Sequence, residues 1–571
     1  MALEKRRELR VSFILWTLVF LLELLLARLF WIQCIRHEHF SHLARKQYRT
    51  EVELPAERGK IFDRYGRLLA TSLPASSIYL DPCAATELEE TAKALARALD
   101  LNEEHLTKFI LQRKHRRFIW IKRKVTPEEG QTVKRLNLAG VGFRKEPQRF
   151  YPQGTLAAPL LGFAGLDGTG LSGLEAYFEE TLKGKPGYKI LLRDGKRKAL
   201  DPGLPFKAPE HGSSIVLTID AVIQQIVEEE LARALEEWEP SGAVGIVLEP
   251  KSGHILAMAS LPSFDPNNFA RYPENNWVNR CVNYSFEPGS VIKPLIVAKA
   301  LQEGLARPED VFFCENGVYR IGSRIFHDHH PYGWLTLSEV VIKSSNVGMA
   351  KLGEAVGAER LYACFRAFGF GQKTNLPLPG EAAGILHPLN KWTSYSVTSV
   401  PIGQEIAVTP LQLALAFSAI ANDGVLPEPR LVRAIICGEG KVINPISQGG
   451  KVILEPRIAR IMRTEIMRRV VEEGTGSRAR LSRWSIAGKT GTAQKAFAGG
   501  FSHTKFISSF VGMAPAEEPR AVVLVMIDEP HKGGIHYGGT VAAPVVASIF
   551  ERILAYLQVA PEGVPLQMAS Y

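Results

Sequence analysis

Residues 11 to 35 read VSFILWTLVFLLELLLARLFWIQCI, an apolar run that at about 1.5 Å per residue spans roughly 37 Å, enough to cross a bilayer with some tilt. A soluble helix of this length would carry a polar face, and this one has almost none. Cys34-Ile35-Arg36-His37 offers no small-residue cleavage site, so the helix is expected to stay as a single anchor behind a tail of residues 1–10. Residues 36 to 571 follow it, and function is expected there. Glu23 sits mid-span, where a carboxylate is costly in lipid unless partnered, and Arg28 is close enough to the far end to snorkel. Lys5, Arg6, Arg7 and Arg10 precede the span while Arg36, Arg45, Lys46 and Arg49 follow it, so flanking charge does not decide orientation.

The rest is globular in composition, with 46% hydrophobic and 22% charged residues, which excludes disorder and collagen. The net charge of +10 suits an anionic partner without choosing one. Six cysteines without a Cys-x-x-Cys pair encode neither a zinc ribbon nor a dense disulfide scaffold. Residues 36–213 alternate strand-like runs (Ser77–Leu80, Lys189–Leu192) with charged helices such as Glu87–Leu99 and hold no catalytic cluster. The Pro- and Gly-rich stretch 198–213 reads as a linker, placing a domain boundary near residue 213.

Beyond it, Ser214–Thr218 reads as a strand and Asp220 as the cap of a helix over Ala221–Glu237. Gly242–Leu248 and His254–Ala259 flank Pro250-Lys251-Ser252-Gly253 as a hairpin, and Phe506–Met513 and Ala521–Ile527 form a second. The chain between them is mostly helical. One antiparallel sheet built from both ends of residues 214–560 and covered by helices is expected, followed by a tail over 561–571.

Three motifs lie in order in this region. In Phe286-Glu287-Pro288-Gly289-Ser290-Val291-Ile292-Lys293-Pro294, a helix starting at Ser290 would set the serine hydroxyl and the Lys293 amine on one face within hydrogen-bonding reach. A neutral lysine there could take the serine's proton. The same spacing recurs at Ser502 and Lys505. Ser344-Ser345-Asn346 is the second motif, which could equally be a cap or a turn. The third is Lys489-Thr490-Gly491 with Thr492, following a strand-like run; on a sheet edge it could hold a carboxylate, or it could be a glycine turn. Order selects Ser290, because Ser502 lies after Lys489.

Ser290-x-x-Lys293, Ser344-x-Asn346 and Lys489-Thr490-Gly491 resemble the signature of penicillin-binding proteins and serine β-lactamases. With RGKIFDRYG (58–66), SGLEAYFEETLKGKPG (172–187), PIGQEIAVTPLQLALAFSAIANDG (401–424), SFVGMAPAEEPRAVVLVMIDEP (509–530) and HYGGTVAAPV (536–545), nearly the whole chain resembles a class B penicillin-binding protein of the cell-division type. Tyr65 stands where that family usually has Asn. The resemblance implies a bitopic protein with a non-catalytic α+β pedestal (36–213) and an α/β transpeptidase domain. The activity implied is that of a peptidoglycan D,D-transpeptidase, with D-Ala-D-Ala stem peptides as substrate, β-lactams as inhibitors and no cofactor.

Ser290 would be the nucleophile and Lys293 its base. Ser344 and Asn346 would relay the proton and position the substrate amide, while Lys489, Thr490, Gly491 and Thr492 would form the carboxylate site. The backbone N–H groups of Ser290 and Thr492 would form the oxyanion hole. A glycan polymerase of the membrane and other division proteins are the implied partners, in the bacterial cytoplasmic (inner) membrane at the septum, with the catalytic part on the periplasmic or extracellular side. Glu23 could face such a partner.

An elongation-type transpeptidase, a β-lactamase or sensor, and an idle division scaffold share parts of this pattern; the pedestal argues against the second and the intact trio against the third. His327, His329 and His330 with Asp328 read as a solvent-side loop rather than a metal site, since adjacent histidines cannot readily chelate one ion. No metal is expected, and behind an anchor no nucleic-acid partner is expected either.

Overall fold

The computed structural model describes residues 2–193, 199–200, 206–322, 324–438, 440–445, 449–497 and 500–562. The N-terminal helix Ala2–Phe30 runs on through a π-helical turn, Trp31–Ile35. Its span Lys5–Ile35 has a mean hydropathy of 2.2, with none of the most apolar part buried against the chain, which fits a single-pass anchor. Gly538–Tyr556 is also long and apolar, but 61% of it is buried, the mark of a core helix.

The chain makes two compact units, Met1–Ala56 with Gly184–His211, and Glu57–Lys183 with Gly212–Tyr571. In the first, Arg49–Leu54 pairs antiparallel with Gly187–Arg193, Leu54 opposite Gly187. Ala199–Leu200 and Phe206–Lys207 pair with the same strand. The stretch read as a linker therefore contributes strands, because an open edge recruits backbone donors and acceptors; residues 198 and 201–205 of it, and 563–571 of the tail, lie outside the described residues.

The second unit begins at a buried charge cluster. Arg58 and Arg149 bond to opposite oxygens of Glu175 at 2.7 and 2.6 Å, and the paired charges satisfy what burial would otherwise leave costly. Asp63 then accepts from the backbone N–H groups of Tyr65 and Arg67, so the turn closes with Tyr65 59% exposed. Leu68–Leu80 pairs with both Ile119–Val125 and Val141–Phe150, and Ile78 and Leu80 pack with Ala92, Leu95, Leu106 and Ile110 of two helices. Ile61–Phe62 pairs with Leu68–Ala70 on one side and lies parallel to Ser214–Leu217 on the other; the latter pairs with Val432–Ile436, so one seven-stranded sheet takes strands from both halves of the chain.

A five-stranded sheet starts after α1 (Ala221–Trp238), whose first turn Asp220 caps by accepting from Val222 N at 3.0 Å. Five strands follow in chain order: β1 (Gly242–Glu249), β2 (His254–Leu261), β3 (Ala487–Phe497), β4 (Gly500–Ala514) and β5 (Ala521–Asp528). Their spatial order is β2-β1-β5-β4-β3, antiparallel throughout, with Gly242 opposite Asp528. Both expected hairpins are present.

Both faces of this sheet are covered, which is why β5 reads AVVLVMID without polar alternation. Val523, Val525 and Ile527 pack on α1 and the C-terminal helix Ala543–Tyr556, while Val522, Leu524 and Met526 belong to the larger core around α4 (Pro410–Ala421). All twelve residues of α4 are buried, as its all-round apolar sequence requires. Between the hairpins lie α2 (Lys293–Gln302) and α3 (Asn346–Val356), which carry the site.

Candidate active site

Ser290 stands in a 3-10 turn, Gly289–Ile292, and the α-helix begins only at Lys293 with Pro294 in its first turn. The expected helix from Ser290 is thus a tighter turn, whose i and i+3 side chains still eclipse. Pro294 has no N–H to offer Ser290 O, and Lys293 N bonds it instead, so the turn is tight; the β3 strand packs closely on it. A Cβ on Gly491 would lie 2.4 Å from Val291 Cγ2 and 3.0 Å from Pro288 O, so the strand's backbone presses on the turn.

Lys293 Nζ does not bond to Ser290 Oγ, contrary to the sequence expectation. It donates to Ser344 O at 2.7 Å, to Asn346 Oδ1 at 2.8 Å and to Ser344 Oγ at 3.3 Å, three acceptors that hold it against the Ser344–Asn346 turn. Lys489 Nζ reaches the same Ser344 Oγ at 3.0 Å and also donates to Thr490 O and Oγ1. Both lysines are 0% exposed. Burial brings Lys293 down to about 7 even though Asp328 works in the opposite sense, and it pushes Lys489 well down, helped by the charge of Lys293.

Ser344 takes φ 61°, a left-handed conformation rare for a residue with a Cβ, and this kink separates Leu337–Ile342 from α3. Ser345 is the residue that caps α3, its Oγ accepting from Gly348 N at 2.9 Å. The cap-or-turn reading and the site reading are therefore divided between neighbours: Ser345 caps, while Ser344 and Asn346 face the cleft. Asp328 holds this turn, accepting from Ser345 Oγ at 2.6 Å, from Val347 N at 3.0 Å and from Asn346 N. His327 O accepts from Asn346 Nδ2 at 2.8 Å. Sequence reasoning placed Asp328 in a solvent-side loop; His327, His329 and His330 are indeed exposed, but Asp328 turns inward. Among the described residues no group of His, Cys, Asp or Glu is arranged to hold a metal.

β3 is the sheet's edge strand, as expected, with Lys489, Thr490, Gly491 and Thr492 opposite Val511, Phe510, Ser509 and Ser508. Thr490 Oγ1 bonds Thr475 Oγ1 at 2.8 Å, and Thr492 Oγ1 accepts from Gly538 N at 3.0 Å. A cleft of about 720 Å³ opens over these groups, lined by Ser290, Ser344, Asn346, Thr490 and Thr492. Its far wall carries rings: His536 stacks on Phe506 at 3.7 Å between centroids, and Tyr537 lies 5.0 Å from His329. Ser502 is not part of the cleft lining; its Oγ accepts from Lys505 N at 3.0 Å.

An accessible serine at a helix head, faced by two buried lysines that share one hydroxyl and flanked by an edge strand, is the constellation of an active-serine acyltransferase. Residues 243–551 match the penicillin binding protein transpeptidase domain, and residues 53–217 match the penicillin-binding protein dimerisation domain. The chain is 34% identical to the probable peptidoglycan D,D-transpeptidase PenA of Neisseria gonorrhoeae over 97% of its own length and 93% of that protein's. It is 32% identical to the peptidoglycan D,D-transpeptidase FtsI of Escherichia coli K12 over 98% and 95% respectively. The crystal structure of penicillin binding protein 3 from Mycobacterium tuberculosis complexed with ampicillin aligns with a TM-score of 0.70 at 29% identity, covering 90% of this chain and 98% of that one. The chain belongs to the penicillin-binding proteins, in the class B arrangement of a dimerisation domain ahead of a transpeptidase domain.

Proposed function

We propose that this chain is a peptidoglycan D,D-transpeptidase that cross-links stem peptides during septal wall synthesis and is acylated by β-lactams. The observation that carries the reading is the convergence of Lys293 Nζ and Lys489 Nζ on Ser344 Oγ in the cleft that exposes Ser290. Ser290 Oγ attacks the penultimate D-Ala carbonyl as Lys293, in its free-base form made accessible by burial, takes its proton, with Ser344 and Asn346 placing that amine and the substrate amide. The C–N bond breaks, the terminal D-Ala leaves as an amine after receiving the proton, and an amine of a neighbouring stem peptide then takes the acyl group and frees Ser290. Lys489, Thr490 and Thr492, with the close backbone at Gly491, hold the terminal carboxylate, which raises the proton affinity of Lys489 on arrival. The N–H groups of Ser290 and Thr492 receive the oxyanion, a charge present only in the tetrahedral state.

The domain plan that goes with this reading is a tail over 1–10, an anchor over 11–35, a pedestal over 36–213 and a transpeptidase domain over 214–560. The anchor sits in the cytoplasmic membrane with the catalytic part outside it, at the septum. Because the sequence of residues 36–213 carries no acidic glycosyltransferase motif, this reading gives glycan polymerisation to a membrane partner, with Glu23 facing a polar group of that partner. Labelling the full-length protein with a fluorescent penicillin tests the chemistry: an adduct, located by intact mass, is expected in the parent and absent in Ser290→Ala. An adduct that persists in Ser290→Ala would remove the assignment.

A further inference from the structure

The turn that carries Ser290 rests on another turn, Gly403–Glu405. Gly289 N donates to Gly403 O at 3.2 Å, and Glu405 N donates to Glu287 Oε1 at 3.0 Å. Just outside these, Phe286 and Val408 exchange both backbone hydrogen bonds, at 3.0 and 2.9 Å. Glu405 itself has φ 61°, a conformation that a residue with a Cβ keeps only when its surroundings hold it.

Its side chain does the holding. One Glu405 oxygen accepts from Arg324 Nη1 at 2.7 Å, and the other accepts from Ser396 Oγ at 2.7 Å. Burial works to raise this carboxyl, and the bonds from Ser396 and Arg324 outweigh it and keep it below its ordinary range. Arg324 Nη1 also donates to Ser399 Oγ, and the guanidinium lies 5.1 Å from the Tyr395 ring centre.

Arg324 opens the strand Arg324–His327, and the residue after that strand is Asp328, which holds the Ser345–Asn346 turn. The two partners of this ion pair therefore belong to two different supports, one beneath Ser290 and one beneath Ser344 and Asn346. Neither Arg324 nor Glu405 lines the cleft.

We propose that the Arg324–Glu405 ion pair is a positioning device that sets the spacing between Ser290 and the Lys293–Ser344 group, and through it the rate of acylation. The inference rests on Ser290 as the nucleophile. Ser290 Oγ and Lys293 Nζ are not bonded in the free protein, so proton transfer needs the two walls in a defined relation, and the pair ties those walls together. With its side chains 44% and 29% exposed, the pair adds little to global stability, so its loss is read in rate rather than in folding.

The test is the time course of fluorescent-penicillin acylation by the full-length protein in detergent, with concentration varied to separate the saturated rate from the half-saturating concentration. Arg324→Gln and Glu405→Gln are each expected to slow the saturated rate by about fivefold or more, with half-saturation and melting temperature close to the parent's. The double variant is expected to be no slower than the slower single variant, and Arg324→Lys to recover part of the rate. Parent rates in both single variants, or losses that simply multiply in the double variant, would overturn the proposal. Arg324→Gln, at a half-exposed position, keeps the test open if Glu405→Gln does not fold. Ser290→Ala separates the two readings: labelling that survives it sinks the nucleophile assignment, whereas Ser290-dependent labelling at an unchanged rate sinks only the positioning role.

Discussion

A lysine wholly buried away from any salt-bridging carboxylate gives up its proton more readily than one in water, and for Lys293 burial brings that point to about 7. Below it the amine is charged and cannot accept from Ser290; above it the free base is present. Acylation should therefore accelerate as pH rises from about 6 to 8 and then level off. Lys293→Arg, whose guanidinium keeps its proton, should lose the rise and about 10²-fold of rate. Rapid-mixing acylation across pH checks both, and a flat profile in the parent would contradict the assignment. Burial pushes Lys489 well down, and the charge of Lys293 beside it adds to that. The same displacement has a stability sign. Between about 7 and the 10.5 of an unburied lysine, the unfolded chain holds a proton that native Lys293 lacks, so this group's contribution to stability rises with pH across that window. Ser502→Ala should leave acylation at the parent level, because its hydroxyl serves the local backbone instead of the cleft; a lost adduct on intact-mass analysis would say otherwise.

Among the elements, the hairpins and α1 were legible because their signals are local: apolar runs broken by Pro and Gly, and an aspartate ahead of an amphipathic stretch. The close fit of the turn at Ser290 against Gly491 was not, since that contact comes from a strand about two hundred residues away. Asp328 was masked by its histidine neighbours and acquires a role only when the hairpin Val318–Ile321 and Arg324–His327 delivers it to the start of α3. Asp328→Ala should cost about 1–2 kcal/mol in thermal unfolding, as the loss of a charged acceptor for two backbone donors at a helix start does, and should slow acylation. An unchanged melting curve together with an unchanged rate would refute that. Gly403 has φ 84°, and a Cβ there would lie 2.2 Å from Gly289 O. Gly403→Ala should therefore displace the turn that carries Ser290, lowering the yield of folded protein and the acylation rate of what remains, measured on protein titrated for active sites.

At the level of the whole molecule, the pairing of Arg49–Leu54 with Gly187–Arg193 bears on where the anchor can be removed. A chain starting near residue 38 keeps that pairing and should stay monodisperse on size exclusion once the apolar span is gone. A chain starting at residue 57 leaves one side of Gly187–Arg193 without its longest partner and should self-associate more at equal concentration; equal behaviour of the two would show that this edge is of no consequence. The catalytic sheet raises a different matter, one of biosynthesis. β1 lies beside β5, although β1 is among the first parts of the catalytic segment to leave the ribosome and β5 is among the last. Until the final stretch of the polypeptide arrives, the first hairpin waits with its inner edge open and its apolar face unmet, so a premature stop near residue 480 would yield an aggregation-prone chain rather than a smaller working domain.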